Sequence, residues 1–237
     1  MRTHNIDDFA GIGADVVLLD PPFRFRAWSA KGEGARTPQS HYRRSMTLDE
    51  IAALPMRKIA GPHCWVMCWI PLVHVRVVAK LFDAWRVKFS GPGLTWIKIN
   101  KDGTIFKGGG YSFRANTEIA WLGRIGAPKR ANKGASSVIV ARRGRHSAKP
   151  VQQYSRIERL AGPGKTFVEL FARGFGPPAH WHAAGDELDL DAAPRPTASE
   201  DSTPIYDPGA DAWASVSEAY AEIRARQAAS GPGWSPR

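Results

Sequence analysis

Asp20-Pro21-Pro22-Phe23 sets a carboxylate, two prolines and an aromatic ring on four consecutive positions. Two prolines fix φ twice, so the turn is stiff. A flat, amine-bearing base stacks on such a ring and donates its N–H to such a carboxylate, which suits chemistry on an exocyclic amino group. Adenine's amino nitrogen is a poor nucleophile because its lone pair is delocalised into the ring. Hydrogen bonds from its N–H groups to the Asp20 carboxylate and the Pro21 carbonyl favour a more pyramidal, more nucleophilic nitrogen. Attack on an activated methyl group then needs mainly positioning and electrostatics. Alone, the same residues are equally a turn capped by an aspartate. A second constellation, Phe167-Val168-Glu169-Leu170-Phe171-Ala172-Arg173-Gly174, ends an apolar run in an acid, a ring and a guanidinium. A carboxylate near a strand end can hold ribose hydroxyls; an ordinary core strand with a solvated arginine is the plainer reading of that segment.

Asp20 follows the apolar run Val16-Val17-Leu18-Leu19, which predicts a buried parallel strand. Its carboxylate thus arrives at a strand's carboxyl end, where ligand sites lie in open α/β sheets. Further strands are expected over 64–70, 94–99, 119–122, 137–141 and 166–171. Helices are expected over 47–59, 72–85 and 150–160. Thr47 and Glu50 have the spacing of a capping box, and Pro150 suits a first helical position. Strand-like and helix-like runs alternate, so the fold class is an α/β sheet with helices on its faces. Residues 24–46 and 101–116 are glycine-rich and aperiodic, and loops of that length are usually functional or disordered.

The chain has 237 residues and a net charge of +11, unevenly spread: residues 1–185 carry +17 and residues 186–237 carry −6. A basic body with an acidic tail fits a polyanionic partner. The loops at 24–44, 98–114 and 124–149 interleave Arg and Lys with Trp, Tyr or Phe, the composition of a nucleic-acid surface. For any one of them alone a solvated charged face is the better reading; three on one chain favour the nucleic-acid surface. The two cysteines, Cys64 and Cys68, share one face of a strand and are expected to be reduced core residues. Gly162-Pro163-Gly164-Lys165-Thr166 lacks the first glycine of a phosphate loop and precedes a strand, so it reads as a turn. His180 and His182 have no third ligand nearby, and no metal is expected. The polar first residues and the short apolar runs predict a cytoplasmic protein without a membrane segment. A methyltransferase-sized domain is expected over 1–188, an acidic Pro/Ala/Ser linker over 189–210, and a tail with one helix over 211–237.

The order of the pieces resembles the MT-A family of adenine N6-methyltransferases, which has eukaryotic mRNA-modifying, bacterial and phage members. The pieces are Asp20–Phe23, His41-Tyr42, Met46–Ile51, Trp65 and Trp69, Thr95–Lys98, Asn116-Thr117-Glu118, Leu122–Gly126, Ser147-Ala148-Lys149-Pro150, Tyr154–Leu160 and Glu169–Arg173. The resemblance spans about residues 15–188. It implies a Rossmann-like fold that uses S-adenosyl-L-methionine, with a mostly parallel sheet and the catalytic motif ahead of the late cofactor strand, a permuted order. It implies that Asp20, Pro21, Pro22 and Phe23 are catalytic, with Phe23 where tryptophan is usual. It assigns the cofactor to Asp20, Lys149, Glu169, Phe171, Arg173, Gly185, Asp186 and Glu187, with Asp186 in place of the family's asparagine. It assigns the substrate to Tyr42, Trp69, Arg114 and Glu118. The expected activity is methylation of adenine N6 in DNA. RNA is the alternative acceptor, and a catalytically silent nucleic-acid-binding subunit is the alternative role. A homodimer or a heterodimer is left open.

Overall fold

The computed structural model describes residues 1–24, 45–109, 112–144 and 148–193. All of them belong to the unit Met1–Ser202. The expected C-terminal helix and all of the expected linker beyond residue 193 lie outside the described residues.

Eight strands form one sheet. In chain order they are β1 (Arg2–Thr3), β2 (Ala14–Leu19), β3 (Ala60–Trp69), β4 (Lys88–Ile99), β5 (Thr117–Ile125), β6 (Val138–Arg142), β7 (Phe167–Leu170) and, after the two-residue β8 (Arg173–Gly174), β9 (His182–Ala184). Their order across the sheet is β1-β9-β7-β2-β3-β5-β4-β6. β5 is antiparallel to both of its neighbours, and every other pairing is parallel. β8 pairs in parallel with β10 (Glu187–Leu188) in a separate two-stranded sheet. The fold is therefore the expected Rossmann-like α/β arrangement, with Asp20 ahead of the late strand β7.

Alternation along the strands separates two cores. Val17 and Leu19 of β2, Cys64, Val66 and Cys68 of β3, and Val168 and Leu170 of β7 face one side. There they meet Ile51 of α1 (Leu48–Ala52), Met56 and Ile59 of α2 (Met56–Ile59), and Leu81 and Phe82 of α3 (Val78–Ala84). Val16, Leu18, Met67, Trp69, Trp96, Ala120 and Phe167 face the other side, where Tyr154, Ile157 and Ala161 of α4 (Gln152–Ala161) cover them.

Several boundaries differ from the sequence reading. The helix expected over 47–59 is two short helices, because Pro55 supplies no N–H and restrains Leu54. The expected capping box is present: Thr47 Oγ1 accepts from Glu50 N at 3.2 Å, and Thr47 N donates to Glu50 Oε2 at 2.7 Å. The helix expected over 72–85 begins as a 3-10 turn, Leu72–Val77, that exposes Leu72, Val73 and Val75. β4 starts six residues earlier than expected and keeps pairing through irregularities at Phe89/Gly91 and Pro92/Leu94. Pro150 lies just outside α4, which Val151 opens.

β2 has its sequence successor β3 on one side and the late strand β7 on the other. The crevice at the carboxyl ends of β2 and β7 is therefore a topological switch point, the usual ligand position in such sheets.

Candidate functional site

Strand polarity brings four ionic side chains to one edge of the sheet. Asp20 follows β2, and Lys98 is the penultimate residue of β4. β5 runs the opposite way, so its beginning, with Glu118, reaches the same edge as the other strands' ends. By alternation Lys98 and Glu118 lie on the α4 side, with Trp96 and Ala120. Lys149 enters from the segment leading into α4.

Lys149 Nζ donates to Asp20 Oδ2 at 2.6 Å and lies 3.4 Å from Glu118 Oε2. Lys98 Nζ donates to Glu118 Oε1. Charges thus alternate along Asp20–Lys149–Glu118–Lys98, and the set is neutral overall. Burial raises the Asp20 carboxyl above its ordinary value, against the opposing pull of Lys149. Burial pushes Glu118 the same way, but two ammonium groups, Lys149 and Lys98, outweigh it and hold Glu118 below the ordinary range. The two differ in their surroundings: burial is the largest influence on Asp20, where the Glu118 charge adds to it, while both ammonium groups also hydrogen-bond Glu118. Burial also pushes the Cys68 thiol well up, and the Asp20 charge adds to this, which fits the expected core cysteine.

The turn after Asp20 is tied by backbone bonds. Phe23 N donates to the Pro21 carbonyl at 2.9 Å, Met46 N donates to the Pro22 carbonyl at 2.7 Å, and Arg24 N donates to the Met46 carbonyl at 2.9 Å. Phe23 and Met46 form a parallel bridge, so Met46 is held against the turn that follows Asp20. Tyr42 lies outside the described residues.

Two of the expected site aromatics, Phe23 and Trp69, are buried. Phe23 is 2% exposed, belongs to the core that contains Ile51, and stacks on His74 with centroids 5.1 Å apart. Its ring offers no open face to a base. Trp69 is also 2% exposed; its indole N–H donates to Gln153 Oε1 at 2.9 Å, and Lys149 Nζ sits 5.6 Å from its ring centroid. Lys149 thus makes a cation–π contact with the buried Trp69 ring. Arg114 is exposed in the segment between β4 and β5.

The cofactor residues expected from the resemblance lie around the neighbouring strand ends. Glu169 is buried on the α4 side and accepts from the Tyr154 hydroxyl at 3.1 Å. Phe171 has φ +64°, a left-handed conformation that is strained for a residue with a Cβ. That turn leads the chain out of β7 and into β8. Arg173 Nε then donates to Glu187 Oε2 at 2.8 Å across the two-stranded sheet. Arg173 also opposes the rise in the Asp20 pKa, so the two groups of residues act on one another. Gly185 is packed against backbone: a Cβ there would lie 2.1 Å from the Ala172 carbonyl oxygen, so no larger residue fits.

Asp186, Glu187, Leu188 and Asp189 line an open groove of about 560 Å³ together with His4. His4 is not among the residues singled out from sequence, and Lys98 stands there only as the end of the Thr95–Lys98 piece, without a site role. His4 arrives because β1 adds to the sheet edge beside β9, and its Nδ1 is hydrogen-bonded to the Gly185 carbonyl at 2.8 Å. For Lys98 a signal existed: alternation from the buried Trp96 sets it on the core side at a strand's carboxyl end.

His180 and Trp181 both hydrogen-bond Glu158 Oε1, at 2.8 and 2.7 Å, and His182 Nδ1 is 2.9 Å from the Met1 amino group. Among the described residues no group of three or more His, Cys, Asp or Glu side chains is arranged to hold a metal, and no helix is long and apolar enough to cross a membrane. The family model MT-A70 matches residues 14–187, from the start of β2 to β10. No curated protein matches the chain.

Proposed function

The chain belongs to the MT-A70 family of S-adenosylmethionine-dependent adenine N6-methyltransferases acting on nucleic acid, and we propose that its acceptor is adenine in DNA, with Asp20 as the residue that holds the amino group. One observation carries the assignment of Asp20. It stands at the switch point of the sheet, partly exposed, with Lys149 on one carboxylate oxygen. Oδ1 remains as the acceptor for an amino N–H. The Pro21 carbonyl takes the Phe23 N–H and retains a second lone pair for the other amino hydrogen. These two acceptors favour a pyramidal nitrogen whose lone pair points away from them.

The residues present fit the cofactor. Lys149 offers a cation for an amino-acid carboxylate. Asp186 and Glu187 offer acceptors for ribose hydroxyls at an open groove, and Arg173 fixes the Glu187 carboxylate. When bound, S-adenosylmethionine supplies an electrophilic methyl group on a sulfonium. As the amino nitrogen gains that methyl group it sheds one proton. A carboxylate raised above its ordinary value by burial accepts a proton more readily than a solvated one, which suits Asp20 to receive it. The choice of DNA rests on the resemblance to bacterial and phage members.

The test is mass spectrometry for N6-methyladenine after incubation of the full chain and cofactor with single-stranded DNA, duplex DNA and RNA. Product on DNA that Asp20→Ala abolishes, with cofactor binding by calorimetry largely kept, supports the reading. Product on RNA alone overturns the choice of DNA, and no product on any acceptor makes the chain a silent binding subunit. Unchanged cofactor affinity in Arg173→Glu removes that residue from the cofactor site.

A further inference from the structure

With the rings of Phe23 and Trp69 buried, an aromatic surface for nucleic acid has to lie elsewhere. Phe113 is 91% exposed, the most open large apolar side chain among the described residues. An isolated phenyl ring in water is unfavourable by about 25 cal/mol per Å² of apolar surface, and the exposed Arg114 follows it directly in the chain. Seven residues ahead of it in the chain, Phe106 carries the Arg143 guanidinium, whose carbon lies 3.7 Å from the ring centroid, over the ring. Arg143 is exposed, so the outer face of its guanidinium is a flat cationic surface already held in place, which suits a base plane.

Both features are tied to the Asp20 site by backbone bonds. Phe106 N donates to the Lys98 carbonyl at 2.8 Å, Lys98 N donates to the Asn116 carbonyl at 2.9 Å, and Arg143 N reaches the Ile99 carbonyl at 3.4 Å. Phe113 is five residues ahead of Glu118. Gly108 N donates to the Ala115 carbonyl at 3.1 Å, and a Cβ on Gly108 would meet that oxygen at 2.2 Å, so the two arms of the segment lie flush. Among the described residues of 100–115 and 142–144, Lys101, Lys107, Arg114, Arg142 and Arg143 are exposed, against the one carboxylate Asp102.

We propose that Phe113 and the Phe106–Arg143 stack form a platform that holds an unpaired nucleic-acid strand beside the Asp20 site. This rests on the nucleic-acid reading above and deepens it by naming the strand state. A duplex keeps its bases stacked on one another and offers no base faces to these side chains, whereas an unpaired strand offers a face at every nucleotide and a phosphate between them.

The test uses the full chain and fluorescence anisotropy with labelled oligothymidine and oligouridine of about 20 nucleotides. Neither contains adenine, so the acceptor pocket takes no part, and the two probes separate DNA from RNA. Phe113→Ala is expected to weaken binding roughly five- to hundred-fold, with Phe113→Trp retaining it. Arg143→Ala is expected to weaken binding and to lower the salt slope by about 0.7, while Phe113→Ala leaves the slope unchanged. Binding to a duplex of equal length should not respond to Phe113→Ala. Wild-type affinity in either alanine variant, equal losses on duplex, or no binding of either oligomer by the wild type overturns the platform. Strand binding that depends on Phe113, without methyl transfer to adenine-containing strands, upholds the platform and overturns the catalytic reading. Transfer with unaffected variants does the reverse.

Discussion

Replacing Lys149 by methionine removes one cation from a set of two lysines and two carboxylates. Glu118 keeps Lys98, so the loss falls mainly on Asp20. The Lys149 and Asp20 side chains are 10% and 19% exposed and 2.6 Å apart. Breaking a buried pair from one side costs about 3–5 kcal/mol, and the residual exposure of Asp20 puts the expected loss near 3 kcal/mol at pH 7. For a domain of this size that lowers Tm by about 6–12 °C. The loss depends on pH with a definite sign. Asp20 has a folded pKa raised above its unfolded value, by burial foremost. The contribution of such a group is full below the unfolded value and is lost as pH rises through the folded one. Removing Lys149 raises the folded value further, so more stability is lost at neutral pH. Glu118 has the opposite sense: its lowered folded pKa contributes stability above the unfolded value that is lost as pH falls, and Lys98 preserves part of it. The gap between wild type and variant should therefore be widest at pH 7 and should narrow as pH falls toward the carboxylate range. Urea unfolding across that range measures it. Adding Asp20→Asn to Lys149→Met removes the stranded charge and should restore about 1–2 kcal/mol. A gap independent of pH, or a double variant no more stable than the single one, would refute the reasoning.

Gly185→Ala forces a Cβ to within 2.1 Å of the Ala172 carbonyl oxygen. It is expected to cost about 1–3 kcal/mol, read as a lower melting temperature; an unshifted melt contradicts the close approach. In the acid range kcat/KM for methyl transfer should rise with pH as Asp20 ionises, with a midpoint above the ordinary carboxylate value. Lys149→Met should move that limb to higher pH, and a limb that stays in place removes Lys149 from the control of Asp20.

Features set by neighbours in sequence were legible before the fold was known. The run Val16–Leu19 predicts a strand, and the structure supplies one in which alternate residues face opposite cores. Thr47 and Glu50 are three apart, and their mutual hydrogen bonds need nothing else. Burial and pairing between distant residues were not legible. A phenylalanine after two prolines has the same local signature whether it faces a ligand or the core, and His74, 51 residues away, settles which. Lys98 ends a strand, as many solvated lysines do, and only the reversal of β5 sets Glu118 against it. His4 is one polar residue in a polar beginning until β1 joins the sheet edge.

The bond pair at Pro22, Arg24 and Met46 is made of backbone groups alone, right after the Asp20 turn. A backbone N–H or carbonyl is present whatever side chain its residue carries, the missing N–H of proline excepted. The clamp is therefore indifferent to the side chains at Arg24 and Met46. In engineering terms, both positions can be changed to any residue but proline without removing a bond of the clamp, while the carboxylate of Asp20 keeps its place.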